Sequence, residues 1–204
     1  KEGAKKYGYT FVDTTGTICD NYHPKKEGYR HIADRILEAL PDANFPYTDV
    51  ANDSEYYNAV ELMYRKGYMS GLSATEFGPD EALTKAALAQ ALYNIAGAPE
   101  VDAENAPFTD IDSSDSAYTA AVWAVDNGIL DANNGKFEPD GKVSTLKLAF
   151  SMIRLSTAGG LNIAKLIKTI VLAFNMIING GIAGLYSPLT RAQAAQSFAD
   201  YCSL

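Results

Sequence analysis

Apolar residues recur at helical spacing in paired segments along most of the chain. "YYNAVELMYRKG" sets Tyr56, Val60, Met63 and Tyr64 on one helix face, and "AYTAAVWAVDNG" does the same with Tyr118, Val122 and Val125. Gly67 and Gly128 follow the last turns of these helices, where the left-handed conformation of a C-cap favours glycine. A loop marked by Gly and Pro comes next, and then a second helix opening on Thr84, Ser144 or Thr190. Stripes at Leu88, Leu92 and Ile95, at Leu146, Phe150 and Ile153, and at Ala195, Phe198 and Cys202 predict the buried faces of the second helices.

These pairs are copies of one unit. The unit beginning at Pro46 and the one beginning at Pro107 keep an offset of 60 or 61 residues, matching Asp49 with Asp110, Gly67 with Gly128, and Phe77 and Pro79 with Phe137 and Pro139. A third copy shows only in its second half, "NGGIAGLYSPLTRAQAAQSFADYCSL": a Gly-Ile-x-Gly turn is expected at Gly181 to Gly184, and the Phe-x-Pro loop is cut to "LYSPL". One helical hairpin of this size cannot bury its apolar stripe, whereas stacked copies can. The second helices are therefore expected to pack together in a mostly α-helical body.

Two segments need separate treatment. Residues 169–185, "TIVLAFNMIINGGIAGL", are the most apolar run, yet they fall short of the roughly 20 apolar residues a spanning helix needs. They hold two Asn and three Gly and predict a buried globular helix ending in a glycine turn, with no membrane span. Residues 1–42 do not fit the repeat. "YGYTFVDTTG" reads as a short buried strand, "EGYRHIADRILEAL" as an amphipathic helix with Tyr29, Ile32, Ala33, Ile36, Leu37 and Leu40 along one side, and "CDNYHP" lies between them. The start "KEGAKKYGYTF" has neither an initiator Met nor a signal-peptide core and reads as a cut inside a longer protein.

Composition narrows the function. The 204 residues carry a formal net charge of −8 without a basic cluster, which argues against a nucleic-acid partner. Cys19 and Cys202 are isolated, so neither a disulfide framework nor a metal site is expected, and no cofactor motif is present.

The order Phe-x-Asp, aromatic-rich helix, Gly-Ile-x-x-Gly, Phe-x-Pro loop and Thr-Arg-Ala-Gln helix resembles the S-layer homology (SLH) family over residues 46–204. The resemblance implies a three-lobed pseudo-symmetric helical module outside a bacterium. It would bind a secondary cell-wall polysaccharide, commonly pyruvylated, and hold an attached protein on the wall. The family's recognition residue is the Arg of the Thr-Arg-Ala-Glu motif. The third copy keeps Thr190, Arg191, Ala192 and Gln193; copy one has Thr84 and Lys85, and copy two has Ser144 and Thr145 with no cation. The resemblance thus implies ligand contact from Arg191 first and Lys85 second, with copy two largely structural. A guanidinium at a helix N-terminus offers a bidentate fork for a ketal carboxylate, and a lysine does not.

Each of these residues also has a structural reading. Thr190 and Gln193 form a capping box whatever the helix does, and Thr84 caps in the same way. Asp49 and Asp110 lie near the groove on the family pattern, but an Asp shortly before a helix more often serves as a cap or turn residue, and that structural role is the favoured one. Tyr56, Tyr57, Tyr118 and Trp123 stand at core spacing, with sugar stacking as the alternative.

Residues 1–42 resemble the C-terminal end of an SGNH (GDSL-type) hydrolase, in which Asp-x-x-His-Pro supplies two members of a catalytic triad. Asp20 would orient His23, and His23 would act as general base on a serine. The Gly-Asp-Ser nucleophile motif is missing from the sequence, so no catalysis is expected of the chain as given.

The expected architecture is mainly α. Residues 1–42 would be a strand–loop–helix remnant of an α/β hydrolase, and residues 43–106, 107–160 and 161–204 three SLH repeats, the last one shortened. The expected function is a monomeric, non-catalytic, extracellular wall anchor. The alternatives are part of a secreted esterase or carbohydrate deacetylase, and a degenerate repeat serving as a protein-interaction module.

Overall fold

In the computed structural model, residues 45–103, 108–158, 160 and 162–203 are described. The chain divides into two units, Lys1–Phe45 and Pro46–Leu204, and the fold described here is that of the second. Asp20, His23 and the amphipathic segment around them lie outside the described residues.

The described residues of this unit form six helices: α1 (Tyr57–Arg65), α2 (Lys85–Ile95), α3 (Tyr118–Asp126), α4 (Thr145–Ala158), α5 (Ile163–Gly184) and α6 (Arg191–Cys202). The expected helix starts are met by side-chain caps. Thr84 Oγ1 accepts the Ala87 N–H at 3.2 Å and Ser144 Oγ accepts the Lys147 N–H at 3.3 Å. Thr190 accepts from Gln193 while the Gln193 side chain accepts from the Thr190 N–H, which completes the capping box. Each such cap contributes about 1 kcal/mol. At the other ends of α1 and α3, Gly67 and Gly128 take φ of +67° and +64°, as a left-handed C-cap requires.

The three copies meet in a ring of backbone hydrogen bonds. Leu83 N–H donates to Leu189 O (3.0 Å), Leu189 N–H to Val143 O (2.9 Å), and Val143 N–H to Leu83 O (2.9 Å). All three side chains are buried, and each residue stands directly before the capping residue of a second helix. Two copies would leave one donor and one acceptor of the ring open in the core, where an unmet polar group costs about 1–3 kcal/mol. The shortened third copy therefore still closes the pseudo-threefold hub.

Packing exchanges helices between copies. Helix α2 lies against α3, α4 against α5, and α6 against α1. Each lobe thus combines the second helix of one copy with the first helix of the next, and the last copy returns to the first. In the closing lobe Val60 and Met63 of α1 and Ala195 and Phe198 of α6 are fully buried.

Three expectations fail in detail. The buried face of α4 is Leu148, Ala149, Met152 and Leu155, while Phe150 is exposed. Both this set and Leu146, Phe150 and Ile153 satisfy helical spacing, because the helix is apolar nearly all round. In α6 the last inward residue is Tyr201, and Cys202 is exposed. The third difference is larger. Gly181 to Gly184 form no turn but continue α5, which runs for 22 residues where α1 and α3 have 9 each. No proline interrupts the segment before Pro188. At about 1.5 Å per residue α5 outruns the 14-residue α4 beside it. It buries Thr169 and Ala173 but leaves an apolar stripe in solvent, so it is not the buried helix expected. Among the described residues no helix is long and apolar enough to cross a membrane.

Candidate functional site

Arg191 opens α6 at the joint between the third copy and the first. Its backbone N–H donates to Glu81 O at 2.8 Å and that of Ala192 to Pro79 O at 3.0 Å, docking the helix N-terminus on the first copy's Phe-x-Pro loop. The side chain makes the joint specific. Its Nε–H donates to Phe77 O at 2.8 Å, Nη2 donates to Ser70 O, and the guanidinium lies 4.7 Å from the centroid of the Phe77 ring. Arg191 is only 6% exposed, and burial lowers its pKa from the ordinary value.

Lys85 repeats this arrangement one copy along. The N–H groups of Lys85 and Ala86 donate to Gly141 O (2.8 Å) and Pro139 O (2.9 Å). Lys85 Nζ donates to Asp131 O at 2.5 Å and stands 4.5 Å from the centroid of the Phe137 ring. Burial, with the nearby Lys147 charge, lowers its pKa. Both cations therefore stabilise contacts between copies through a carbonyl and a ring face.

The third joint lacks both halves of this pair. Thr145 stands where the cation would be, and the Leu146 N–H reaches Leu185 O at 3.2 Å, the place that Pro79 and Pro139 hold in the other joints. Two residues before Leu185 is Ala183, inside α5, where the other copies carry fully buried Phe77 and Phe137. The nearby Tyr186 ring is 74% exposed. Loss of the cation in copy two thus accompanies loss of the ring in copy three, the copy onto which it would dock.

Asp49 and Asp110 hold the Phe-x-Pro loops. The Asp49 carboxylate accepts the N–H groups of Phe77 (2.8 Å) and Gly78 (2.7 Å). Asp110 accepts those of Phe137 and Glu138, both at 2.7 Å. Burial pushes the Asp110 pKa up, but these hydrogen bonds more than offset it and hold the carboxyl below its ordinary value. Tyr57, Tyr118 and Trp123 are buried in the core.

Beside Arg191 a groove of about 250 Å³ draws on all three copies. Ser70, Gly71 and Gln90 come from the first copy, Asp115 and Ser116 from the second, and Arg191 from the third. Ala86 and Ala87, in the first turn of α2, keep its floor low. Gly71 is needed in the wall: a Cβ there would lie 2.5 Å from both Glu76 O and Tyr47 Cε1. Thr84, Thr190 and Gln193 are helix caps rather than groove walls, and Lys85 is taken up by its own joint. Sequence reasoning missed Gln90, Asp115 and Gly71, because only the meeting of copies makes them neighbours. Among the described residues no group of His, Cys, Asp and Glu converges to hold a metal ion.

Residues 46–89 and 107–144 match the family model of the S-layer homology domain. These two segments are thus similar to SLH repeats. The chain is 34% identical over 151 residues to the Surface-layer 125 kDa protein of Lysinibacillus sphaericus, covering 65% of this chain and 12% of that one. It is 28% identical over 111 residues to an Endoglucanase of Bacillus sp. (strain KSM-635), covering 54% and 12%. To a Cell surface protein of Thermoanaerobacter kivui it is 27% identical over 106 residues, covering 50% and 14%. The chain thus spans about one eighth of the length of the curated relatives it matches. In both matched segments the similarity takes in the Asp-clamped Phe-x-Pro loop and the capping residue of the second helix, Thr84 or Ser144, the parts from which the hub and joints are built.

Proposed function

We propose that the SLH module is a non-catalytic anchor that binds a secondary cell-wall polysaccharide carrying pyruvate ketals and holds an attached protein at the bacterial surface. Its place is outside the cell, at the wall. The observation that carries this reading is the groove in which Arg191 meets walls from all three copies. Two of the five N–H donors of the guanidinium are committed to Phe77 O and Ser70 O, which fixes its plane. A fixed guanidinium at a helix N-terminus favours a carboxylate on an otherwise neutral sugar. The net charge of −8 does not oppose this, because only the field inside the groove must be positive. Co-sedimentation of the intact chain with purified walls tests the reading. Binding is expected, with a tenfold or greater loss in Ala87→Leu, which fills the groove from an accessible helix position. Equal binding by the two proteins, with circular dichroism showing both folded, contradicts it.

The attached protein is read as a secreted SGNH-type esterase or carbohydrate deacetylase, with Asp20 and His23 as two members of its triad. Support comes from the Asp20-x-x-His23-Pro24 spacing, and the endoglucanase among the relatives is an enzyme that contains a segment similar to this chain. Sequencing the coding region ahead of Lys1 tests it. A Gly-Asp-Ser motif is expected there, and an open reading frame without one contradicts the assignment.

A further inference from the structure

Helix α5 carries a stripe that the wall-anchor reading does not use. Ile163, Ile167, Ile170, Val171, Phe174 and Ile178 are 46–62% exposed and recur at intervals of three and four residues, so they share one face. The opposite face, with Thr169 and Ala173, is buried in a unit where α5 packs chiefly on α4. The stripe is also symmetric in sequence about the point between Ile170 and Val171. Ile163 and Ile178 are equally far from that point, as are Ile167 and Phe174.

We propose that this stripe is the interface of a homodimer, in which two copies of α5 pair antiparallel about a twofold axis passing between Ile170 and Val171. A twofold interface is isologous, so each residue must find an acceptable mate when the helix is reversed. This register provides one for each of these six residues. Ile163 meets Ile178 of the partner subunit, Ile167 meets Phe174 of the partner subunit, and Ile170 meets Val171 of the partner subunit.

Size and charge favour a second copy over other occupants. Six such side chains at about half exposure leave on the order of 600 Å² of apolar surface, at the top of the range for a monomer's largest patch. That is somewhat below the roughly 800 Å² per partner of a standard stable complex, which fits a dimer formed at micromolar concentration. An anionic lipid surface would need a basic rim of about 4–8 cations. Helix α5 offers only Lys165, which lies 4.7 Å from the centroid of the Tyr201 ring, and Lys168. A chain of net charge −8 is further repelled by such a surface. The same charge makes two copies repel one another, so the dimer should tighten as salt rises.

Sedimentation velocity of the full chain across the micromolar range tests the proposal. The expected result is a concentration-dependent shift from monomer to dimer that moves to lower concentration as NaCl is raised. Phe174→Glu, at an exposed position, should remain monomeric throughout with unchanged far-ultraviolet circular dichroism. In a Cys19→Ser, Cys202→Ser background, Ile170→Cys should cross-link to itself on mild oxidation. Ile163→Cys should do so only when mixed with Ile178→Cys. A monomer at every concentration, a dimer that survives Phe174→Glu, or self-cross-linking of Ile163→Cys each overturns the proposal. So does a monomer that floats with phosphatidylglycerol vesicles, because the stripe would then belong to a lipid surface.

Discussion

The Nε–H of Arg191 donates to the carbonyl of Phe77 at 2.8 Å across a sequence separation of 114 residues, and the guanidinium faces the ring of the same phenylalanine. One side chain thereby joins the last copy of the repeat to the first and closes the circle of lobes. It also forms part of the groove wall, so module closure and the candidate site share a residue.

Removing that side chain should be costly even without a ligand. Arg191→Ala leaves Phe77 O and Ser70 O without their donors and takes the cation from the Phe77 ring. An unmet buried acceptor costs about 1–3 kcal/mol, so a loss of about 3 kcal/mol is expected. Arg191→Lys should fall between the two, since Lys85 shows that an ammonium fits the equivalent joint. Urea unfolding of the three proteins measures both effects, with the midpoint as the readout.

The buried Lys85 predicts a pH dependence. Its folded pKa is lowered from 10.5, chiefly by burial. Between that lowered value and 10.5 the unfolded chain holds more protons, so Lys85 makes stability rise with pH through the window. Tyr47 and Tyr201 act in the opposite sense, since burial raises both phenols and that of Tyr201 reaches about 12. The wild type minus Lys85→Met difference in unfolding free energy isolates the lysine. It should shift in favour of the wild type as pH rises from neutral towards 10.5.

Asp110 should show itself at acid pH. Its folded pKa lies below the ordinary 3.8, so its contribution is complete above that value and is lost as pH falls through the folded one. Asp110→Asn puts an amide donor where one of two N–H groups needs an acceptor. About 1 kcal/mol should be lost at pH 7, and the difference from wild type should shrink as pH falls below 3.8. Urea midpoints measured at both pH values check this.

What the sequence made legible follows from what local chemistry decides. Thr84, Ser144 and Thr190 as helix starts, and Gly67 and Gly128 as helix ends, are choices made within a single turn of chain. The exchange of helices between copies was not legible, because a periodic stripe such as Val60 and Met63 reports a buried face but not its partner. In α4 even the face was ambiguous, since apolar residues nearly encircle the helix. In α5 the glycines at 180, 181 and 184 suggested a turn, each costing a helix about 1 kcal/mol. The uninterrupted segment nonetheless kept its helix. For the site, Arg191 stood out by its motif, whereas Gln90, Asp115 and Gly71 become neighbours only once the hub has formed.

The joint without a cation supplies a control. The copy onto which the Thr145 end of α4 docks has no phenylalanine at the place of Phe77 and Phe137, because position 183 is an alanine within α5. Thr145→Arg should therefore change stability by no more than about 0.5 kcal/mol, the range of an ordinary surface substitution. A gain of 2 kcal/mol in the urea titration would show instead that the third joint can use a cation.

The central claim is that the groove beside Arg191 recognises a ketal-linked carboxylate on a wall polymer. Equilibrium binding of the full chain to purified wall polysaccharide, before and after mild-acid removal of its pyruvate ketals, tests this most directly. The account predicts at least a tenfold weakening once the ketals are gone. Equal affinity for the two polymers would contradict it.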